Sequence, residues 1–499
     1  MLFHDIFAHH PKEREAIIDQ DRSVTYGEFQ DLVERWAAYF EALGVKKGDR
    51  VGLVSKNCLE FIVTYFAVIK AGGVIVPINF QLVPREIAYI VKDTAMKLLV
   101  VKEALPLAEP LQELSAPSLM QITFDELHHA PEQEFVPVSL TETDPSTIIY
   151  TSGTTGKPKG AMLSHGNLYA NARDFMESIP LTAEDTALCV LPMYHCFAWT
   201  VCVAGPLLCG GRIVIQAVYQ FKAAMRLVKQ YGVTMFPGVP AVYRLLHESR
   251  DLDSVDSVRY FISGGAPLGL DLARGFALKF GRPVLEGYGL SEASPVVSVN
   301  LPHKVKVGSI GPTIAHVKAK IINAHGEEVP HFERGELLVK GPNVMLGYLN
   351  LPDATAKAIE KDGWLHTGDV GYMDEDGFIF LVDRVKDMII SSGENVYPRE
   401  IEEVVSAYPG VAECSVIGIP DALRGQAICL YVVPREGETI DKKALRQYLI
   451  GRIAPYKVPR EYFLVESLPK TALGKVRKNV LRDETVAILS KNKFAGRAL

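Results

Sequence analysis

Residues 45–80 run strand, helix, strand in quick succession, and this order constrains the fold more than any other feature of the chain. Val51–Val54 is an apolar run of strand length, Leu59–Lys70 an apolar run of helix length, and Val74–Ile78 a second strand-like run. A helical crossover joins parallel strands, which no hairpin can do, so the order implies a parallel sheet and an α/β core. The same alternation returns at Ile213–Ile215, Phe221–Gln230 and Thr234–Phe236. Upstream, Thr25 and Glu28 have capping-box spacing ahead of Phe29, Leu32, Val33, Trp36, Phe40 and Leu43, which share one helical face, and Gly44 marks the stop. The chain has no internal repeat of 20 to 50 residues and no low-complexity tract.

Length and charge narrow the function classes. A chain of 499 residues is long enough for about three domains, and 48% hydrophobic with 22% charged residues excludes disorder. The net charge of −6 offers nucleic acid no footprint, so the expected partners are small molecules, and an anionic ligand must be held by local clusters. Seven cysteines, an odd number without a C-x-x-C pair, read as free thiols in a reducing compartment, and a cytoplasmic location is expected. The N-terminal MLFHDIFAHHPKERE lacks the basic and apolar regions of a secretory signal. Ala187–Gly211 contains no Asp, Glu, Lys or Arg and is long enough to span a membrane. Pro192, His195, Gly205 and Pro206 interrupt it, so the expectation is a buried element lining an apolar cavity.

The texture changes after residue 370. Gly377–Val382 and Met388–Ser391 read as short strands, followed by a helix opened by Pro398 and running to about Tyr408. Strands at Ala412–Ile417 and Ile428–Val433, a helix near Lys442–Ile453 and a basic, solvated tail complete a smaller α+β unit. The expected organisation is a large multi-subdomain α/β domain over 1–383, a junction over 384–387 and an α+β domain over 388–499.

Chemistry concentrates in a few segments. Thr151–Gly160, TSGTTGKPKG, packs glycines, hydroxyls and lysines directly after an apolar strand-like run, the composition of a phosphate cradle. It is not a Walker A loop, because two residues rather than four separate Gly153 from Gly156, and Pro158 stands where the magnesium-binding hydroxyl belongs. Ser263–Leu268 (SGGAPL) and Glu286–Glu292 (EGYGLSE) read as glycine turns against which a flat ring could lie, with Tyr288 to stack on a purine and Glu292 to hold a hard cation. Thr367–Asp369 (TGD) offers a carboxylate to ribose hydroxyls, with Arg384 to join it, although a surface turn is the plainer reading of each. Leu468–Lys475 (LPKTALGK) places Lys475 after a glycine, where a solvated lysine is the ordinary outcome.

Taken together and in this order, these motifs resemble the adenylate-forming superfamily of acyl-CoA synthetases, adenylation domains and luciferases, closest to bacterial fatty acyl-CoA synthetases, over nearly the whole chain. TSGTTGKPKG is similar to that family's phosphate loop, GYGLSE to its adenine and magnesium motif, TGD to its ribose aspartate, DRVKDMIISSGENVYPREIE (Asp383–Glu402) to its hinge and thioesterification motif, and PKTALGK to its catalytic-lysine motif. The resemblance implies a two-step reaction: a carboxylate and ATP give acyl-AMP and pyrophosphate, then coenzyme A displaces AMP. It implies that Thr151, Ser152, Gly153, Thr154, Thr155, Gly156, Lys159, Gly265, Ala266, Pro267, Glu286, Gly287, Tyr288, Gly289, Ser291, Asp369, Arg384 and Lys475 contact the nucleotide. It further implies that Thr151 and Glu292 hold Mg2+ and that Lys475 bridges the carboxylate and the α-phosphate. The small domain would be mobile and rotate about Lys386, bringing Gly393 to the coenzyme A channel.

The substrate pocket is expected in the uncharged stretch. MYHCFAW (Met193–Trp199) matches the family segment with a histidine at the carboxylate end of the acyl pocket, here His195, and Trp199 resembles the gate tryptophan of long-chain enzymes. Phe236, Gly238 and Val239 of FPGVP are expected to line the same pocket. With about 0.8 kcal/mol per buried methylene, an apolar tunnel can select long chains without polar contacts. The expectation is therefore a ligase for medium- to long-chain fatty acids, with ATP, Mg2+ and coenzyme A. Aryl-acid CoA ligase, or acyl-AMP ligase loading a carrier protein, are the alternatives. Oligomeric state is left open, a homodimer included, as is transient membrane contact.

Overall fold

The computed structural model describes residues 1–499 except 132, 152–157, 250–254, 385–386, 392–393, 422–424, 451, 472–473 and 496–499. The chain forms two compact units, Met1–Ala319 with Leu338–His366, and Lys320–Leu337 with Thr367–Leu499. This is the expected large α/β part and smaller C-terminal α+β part. A division by packing places residues 367–383 with the second unit. A pivot at 384–387 concerns rotation rather than packing and stays a proposal, since two of those residues lie outside the described ones.

Two sheets build the first unit. The seven-stranded one runs, in spatial order, Gly347–Tyr348, Lys159–Ser164, Pro145–Thr151, Val74–Ile78, Arg50–Val54, Leu98–Val101 and Met120–Thr123. Its strands at Arg50–Val54 and Val74–Ile78 are parallel and joined through the helix Leu59–Lys70, as the strand, helix, strand order requires. That helix is apolar on nearly every face because Phe61–Ile69 is buried throughout, with Glu60 at its start the exception. The preceding helix, Tyr26–Ala42, opens on the Thr25–Glu28 capping box, which satisfies two N-terminal donors.

The eight-stranded sheet runs Val296–Val299, Val284–Gly289, Tyr260–Ser263, Met235–Gly238, Thr186–Cys189, Arg212–Ile215, Glu15–Asp19 and Arg22–Thr25. The uncharged stretch supplies its strand Thr186–Cys189 and a helical run from Cys196 to Cys209, in which residues 198–207 are buried. Among the described residues no helix is long and apolar enough to cross a membrane.

In the second unit, the strand Gly425–Pro434 pairs antiparallel with Val411–Asp421 and parallel with Glu461–Leu464. Its side chains alternate between two faces. Ile428, Leu430 and Val432 meet Ile401 and Val405 of the helix Pro398–Ser406 and Leu445 and Leu449 of the helix Lys442–Leu449. Cys429 and Tyr431 meet Leu481 on the opposite face. The expected solvated tail is thus in part a helix, Lys478–Ala495, that covers the sheet: Leu481 is 2% exposed, and the Thr485 hydroxyl lies 2.6 Å from Tyr431 Oη. Sequence reasoning saw its charges and missed the two buried positions one helical turn apart.

Two further expectations change. Glu286–Gly289 is not a glycine turn but the end of the strand Val284–Gly289, with Gly287 opposite Val299 and Tyr288 opposite Ser298. Thr367–Asp369 is not a surface turn but lies inside the strand Leu365–Met373.

Candidate active site

In the first unit the phosphate-loop motif hangs from an antiparallel pair. Pro145–Thr151 leads in, Lys159–Ser164 leads out, and Thr151 stands opposite Lys159. Ser152, Gly153, Thr154, Thr155 and Gly156, the core of the expected cradle, lie outside the described residues. Gly160 admits no side chain, because a Cβ there would stand 2.8 Å from Ile148 Cγ2.

The purine and magnesium motifs are anchored next to it. Glu286 is buried, and one of its oxygens accepts a 2.9 Å hydrogen bond from Leu268 N–H. The carboxylate therefore braces the turn that carries Gly265, Ala266 and Pro267 between the strand Tyr260–Ser263 and the helix Leu270–Phe280. At Gly289 the crossing chain comes so close that a Cβ would lie 2.2 Å from Pro295 O. Three residues on, Glu292 is held twice: Met345 N–H donates to its carbonyl at 2.9 Å, and Tyr348 Oη–H donates to Oε1 at 2.9 Å. Lys159 Nζ stands 5.0 Å from the centroid of the Tyr348 ring. Ser291 Oγ lies 3.3 Å from Cys196 Sγ, which ties this motif to the MYHCFAW segment.

His195 caps the short helix Cys196–Ala198, its Nδ1 accepting from Phe197 N–H at 3.2 Å. Nε2 then carries the proton, and burial pushes the imidazole pKa down to about 4, so the ring is a neutral donor at physiological pH. Phe197 lies over Gly264, where a Cβ would come within 3.1 Å of ring carbon Cζ. Val239 is the nearest neighbour a Cβ on Gly265 would meet, 3.8 Å from Cγ1, so the expected acyl residues and the purine turn share one corner. Phe236 and Gly238 sit in the strand Met235–Gly238, with Phe236 in the core. Trp199 is 3% exposed and stacks on Tyr65 with centroids 3.7 Å apart, while Phe66 and Phe61 complete the cluster. The buried polar atoms Ser263 Oγ, Tyr194 Oη and Tyr219 Oη have no hydrogen-bond partner among the described residues.

The second unit carries the rest. Asp369 is 5% exposed and stands directly across the strand pair from Arg384. Its amide donates to Thr367 Oγ1 at 3.1 Å, and Thr367 in turn donates to Leu337 O at 2.7 Å, so the TGD backbone is pinned. Lys475 is exposed and closes a turn: its N–H donates to Thr471 Oγ1 at 3.2 Å and its carbonyl accepts from Thr471 N–H at 2.8 Å. Gly474 supplies the turn's left-handed backbone, with φ +80°. Lys386 and Gly393 lie outside the described residues. Sequence reasoning passed over Tyr348 and gave Cys196, Phe197 and Gly264 no role of their own within the motifs that hold them, since no spacing rule marks a residue that acts by touching another motif.

Comparison with known proteins identifies the family. The AMP-binding enzyme family matches residues 3–349, and the AMP-binding enzyme C-terminal domain matches residues 400–475. A feruloyl-CoA synthase of Amycolatopsis is 38% identical, covering 92% of this chain and 94% of that protein. A long-chain-fatty-acid–CoA ligase of Bacillus subtilis is 33% identical, covering 95% and 92%. The solved o-succinylbenzoate coenzyme A synthetase of Bacillus subtilis, in complex with ATP and magnesium ion, superposes with a TM-score of 0.87 at 30% identity, covering 96% of this chain and 99% of that one. The chain therefore belongs to the AMP-binding enzyme family within the adenylate-forming superfamily, and it is an AMP-forming CoA ligase.

Proposed function

We propose that the chain activates an aryl acid of the hydroxycinnamate kind as its CoA thioester. A carboxylate oxygen attacks the α-phosphorus of ATP, forming the O–P bond as the bond to pyrophosphate breaks. The thiol of coenzyme A then attacks the acyl carbon, AMP leaves, and the thiol proton passes to solvent. The carboxylate needs no base, being ionised at neutral pH. The obstacle is repulsion between anions, and fixed positive charge removes it.

The mounting of Glu292 carries the reading of the reaction. Tyr348 occupies one lone pair of Oε1, leaving Oε2 for a cation, and this donor set fits the magnesium carried with ATP. When bound, that ion offsets phosphate charge. His195 offers Nε2–H to the acid's carboxylate without adding a charge, and Lys475 serves the adenylation step. Asp369 and Arg384 take the ribose, and Gly265–Pro267 with Tyr288 the purine. The small domain turns about Lys386, opening a path for coenzyme A past Gly393.

Three observations favour an aryl acid. The Phe197 ring closes over Gly264, the orphaned hydroxyls of Ser263, Tyr194 and Tyr219 can answer ring oxygens, and a feruloyl-CoA synthase is among the relatives. Linear fatty acids are the second reading, favoured by the uncharged segments. On that reading Trp199, stacked on Tyr65, is the gate of the acyl tunnel. AMP release with ATP, magnesium and coenzyme A decides between them when measured across ferulate, cinnamate, benzoate and linear acids from two to eighteen carbons. Turnover of the cinnamates at least about tenfold above every linear acid is expected; turnover that climbs with chain length overturns the aryl reading. Seven free thiols, four of them buried, fit a reducing compartment such as the cytoplasm.

A further inference from the structure

Residues 343–349 cross the first unit as a strap between two motifs. At one end Leu346 N–H donates to Met162 O at 2.9 Å and Leu349 N–H to Gly160 O at 2.8 Å, so Gly347–Tyr348 lies antiparallel to the strand leaving the phosphate loop. At the other, Asn343 Nδ2 donates to Ala293 O at 2.9 Å, Ser294 Oγ donates to Asn343 O at 2.8 Å, and Met345 N–H holds Glu292 O. Tyr348 stands where the two ends meet. Its hydroxyl is on Glu292 Oε1, and its ring faces Lys159 Nζ.

We propose that Tyr348 is the positioning residue of the metal-binding carboxylate, locking the rotamer of Glu292 and fixing its distance from the phosphate-loop lysine Lys159. The proposal rests on the reading of Glu292 as the magnesium ligand. Two opposed effects follow from the hydroxyl. It draws electron density from the carboxylate, which weakens metal binding, and it stops the half-buried side chain from rotating, which strengthens it. Orientation is the larger effect at metal sites, where loss of a partner behind a ligand commonly costs about ten- to a hundredfold in affinity. A phenol is protonated at neutral pH, so Tyr348 donates to the carboxylate. Its backbone is fixed independently, because Tyr348 N–H donates to Thr355 Oγ1 at 2.8 Å. Substituting phenylalanine therefore removes the hydroxyl and leaves the strap and the ring over Lys159 in place.

The test compares wild type, Tyr348→Phe and Glu292→Gln by two readouts. One is free Mg2+ titrated against AMP release at saturating ATP and acid. The other is Mn2+ binding followed by water-proton relaxation with a non-hydrolysable ATP analogue. Tyr348→Phe is expected to raise the half-saturating Mg2+ and the Mn2+ dissociation constant about tenfold, with the acid KM and melting temperature unchanged and kcat recovered at high Mg2+. Glu292→Gln is expected to weaken both more deeply, without recovery. If Glu292→Gln weakens metal binding while Tyr348→Phe leaves it unchanged or tightens it, the positioning role fails alone. If neither variant changes metal binding, the magnesium assignment of Glu292 fails with it. Should Tyr348→Phe turn over too slowly to titrate, the Mn2+ measurement still decides.

Discussion

Glu292 and Lys475 bear the two charges the proposed chemistry depends on most, and they are mounted in opposite ways. Glu292 has its carbonyl held by Met345 and its carboxylate by Tyr348, next to a glycine where the neighbouring chain leaves no room for a methyl group. Lys475 projects from an exposed turn closed by Thr471 and Gly474. A group that orients a metal must keep its geometry, because binding weakens steeply with misplacement. A lysine that serves one half-reaction and would obstruct the next is better placed on a small turn at the surface. The difference separates a fixed half of the machinery from a presented one.

The sharpest way to break that comparison is Lys475→Ala. Adenylation, followed by pyrophosphate release, should fall about a hundred- to a thousandfold. Thioester formation from supplied acyl-AMP and the melting temperature should hardly move, because an exposed side chain is removed. A loss of both half-reactions would mean that the lysine is not confined to one step. Gly289→Ala tests the opposite mount: its methyl would press on Pro295 O, and a loss of about 1–3 kcal/mol of stability is expected together with a higher Mg2+ requirement. Denaturant unfolding at low and high Mg2+ measures both.

Acid should weaken the fixed half. His4 and His165 lie in the first unit with ring centroids 5.3 Å apart, and their pKa values are pushed down to about 4 and about 3. Burial is the main cause for each, helped by the charge of Lys70 at His4 and by His4 at His165. An unfolded histidine titrates near 6.5. Between there and the folded values the unfolded chain binds more protons, so this contribution to stability is complete above about pH 6.5 and is lost as pH falls through about 4 and then about 3. The melting temperature should drop across that window, and His165→Gln should flatten the drop. The smallest effect belongs to Thr471→Val, which removes the acceptor of Lys475 N–H: adenylation should fall a few-fold at constant melting temperature.

Local patterning carried far in reading the fold. The helix Leu59–Lys70 and the strand Val74–Ile78 form with the bounds their apolar runs predict, and the Thr25–Glu28 box caps the helix it announces. The failures share a cause. EGYG and TGD were read as turns from glycine content, whereas both lie in strands: Gly287 stands opposite Val299, and the buried Asp369 pairs with Arg384, fifteen residues away. The tail was read as solvated because charges outnumber Leu481 and Thr485, which only the opposite face of a distant sheet makes buried. In the candidate site the motifs were legible as motifs, while the contacts that connect them were not.

The order of elements, the helix caps and the family's motifs were determined by the sequence alone, because each depends on residues a few positions apart. Tertiary structure decided that Tyr348 meets Glu292 from 56 residues away, that Phe197 covers Gly264, and that Trp199 stacks on Tyr65. Such pairings depend on how strands register across a sheet and how helices pack on it. A periodicity within one segment carries no record of the partner it will meet.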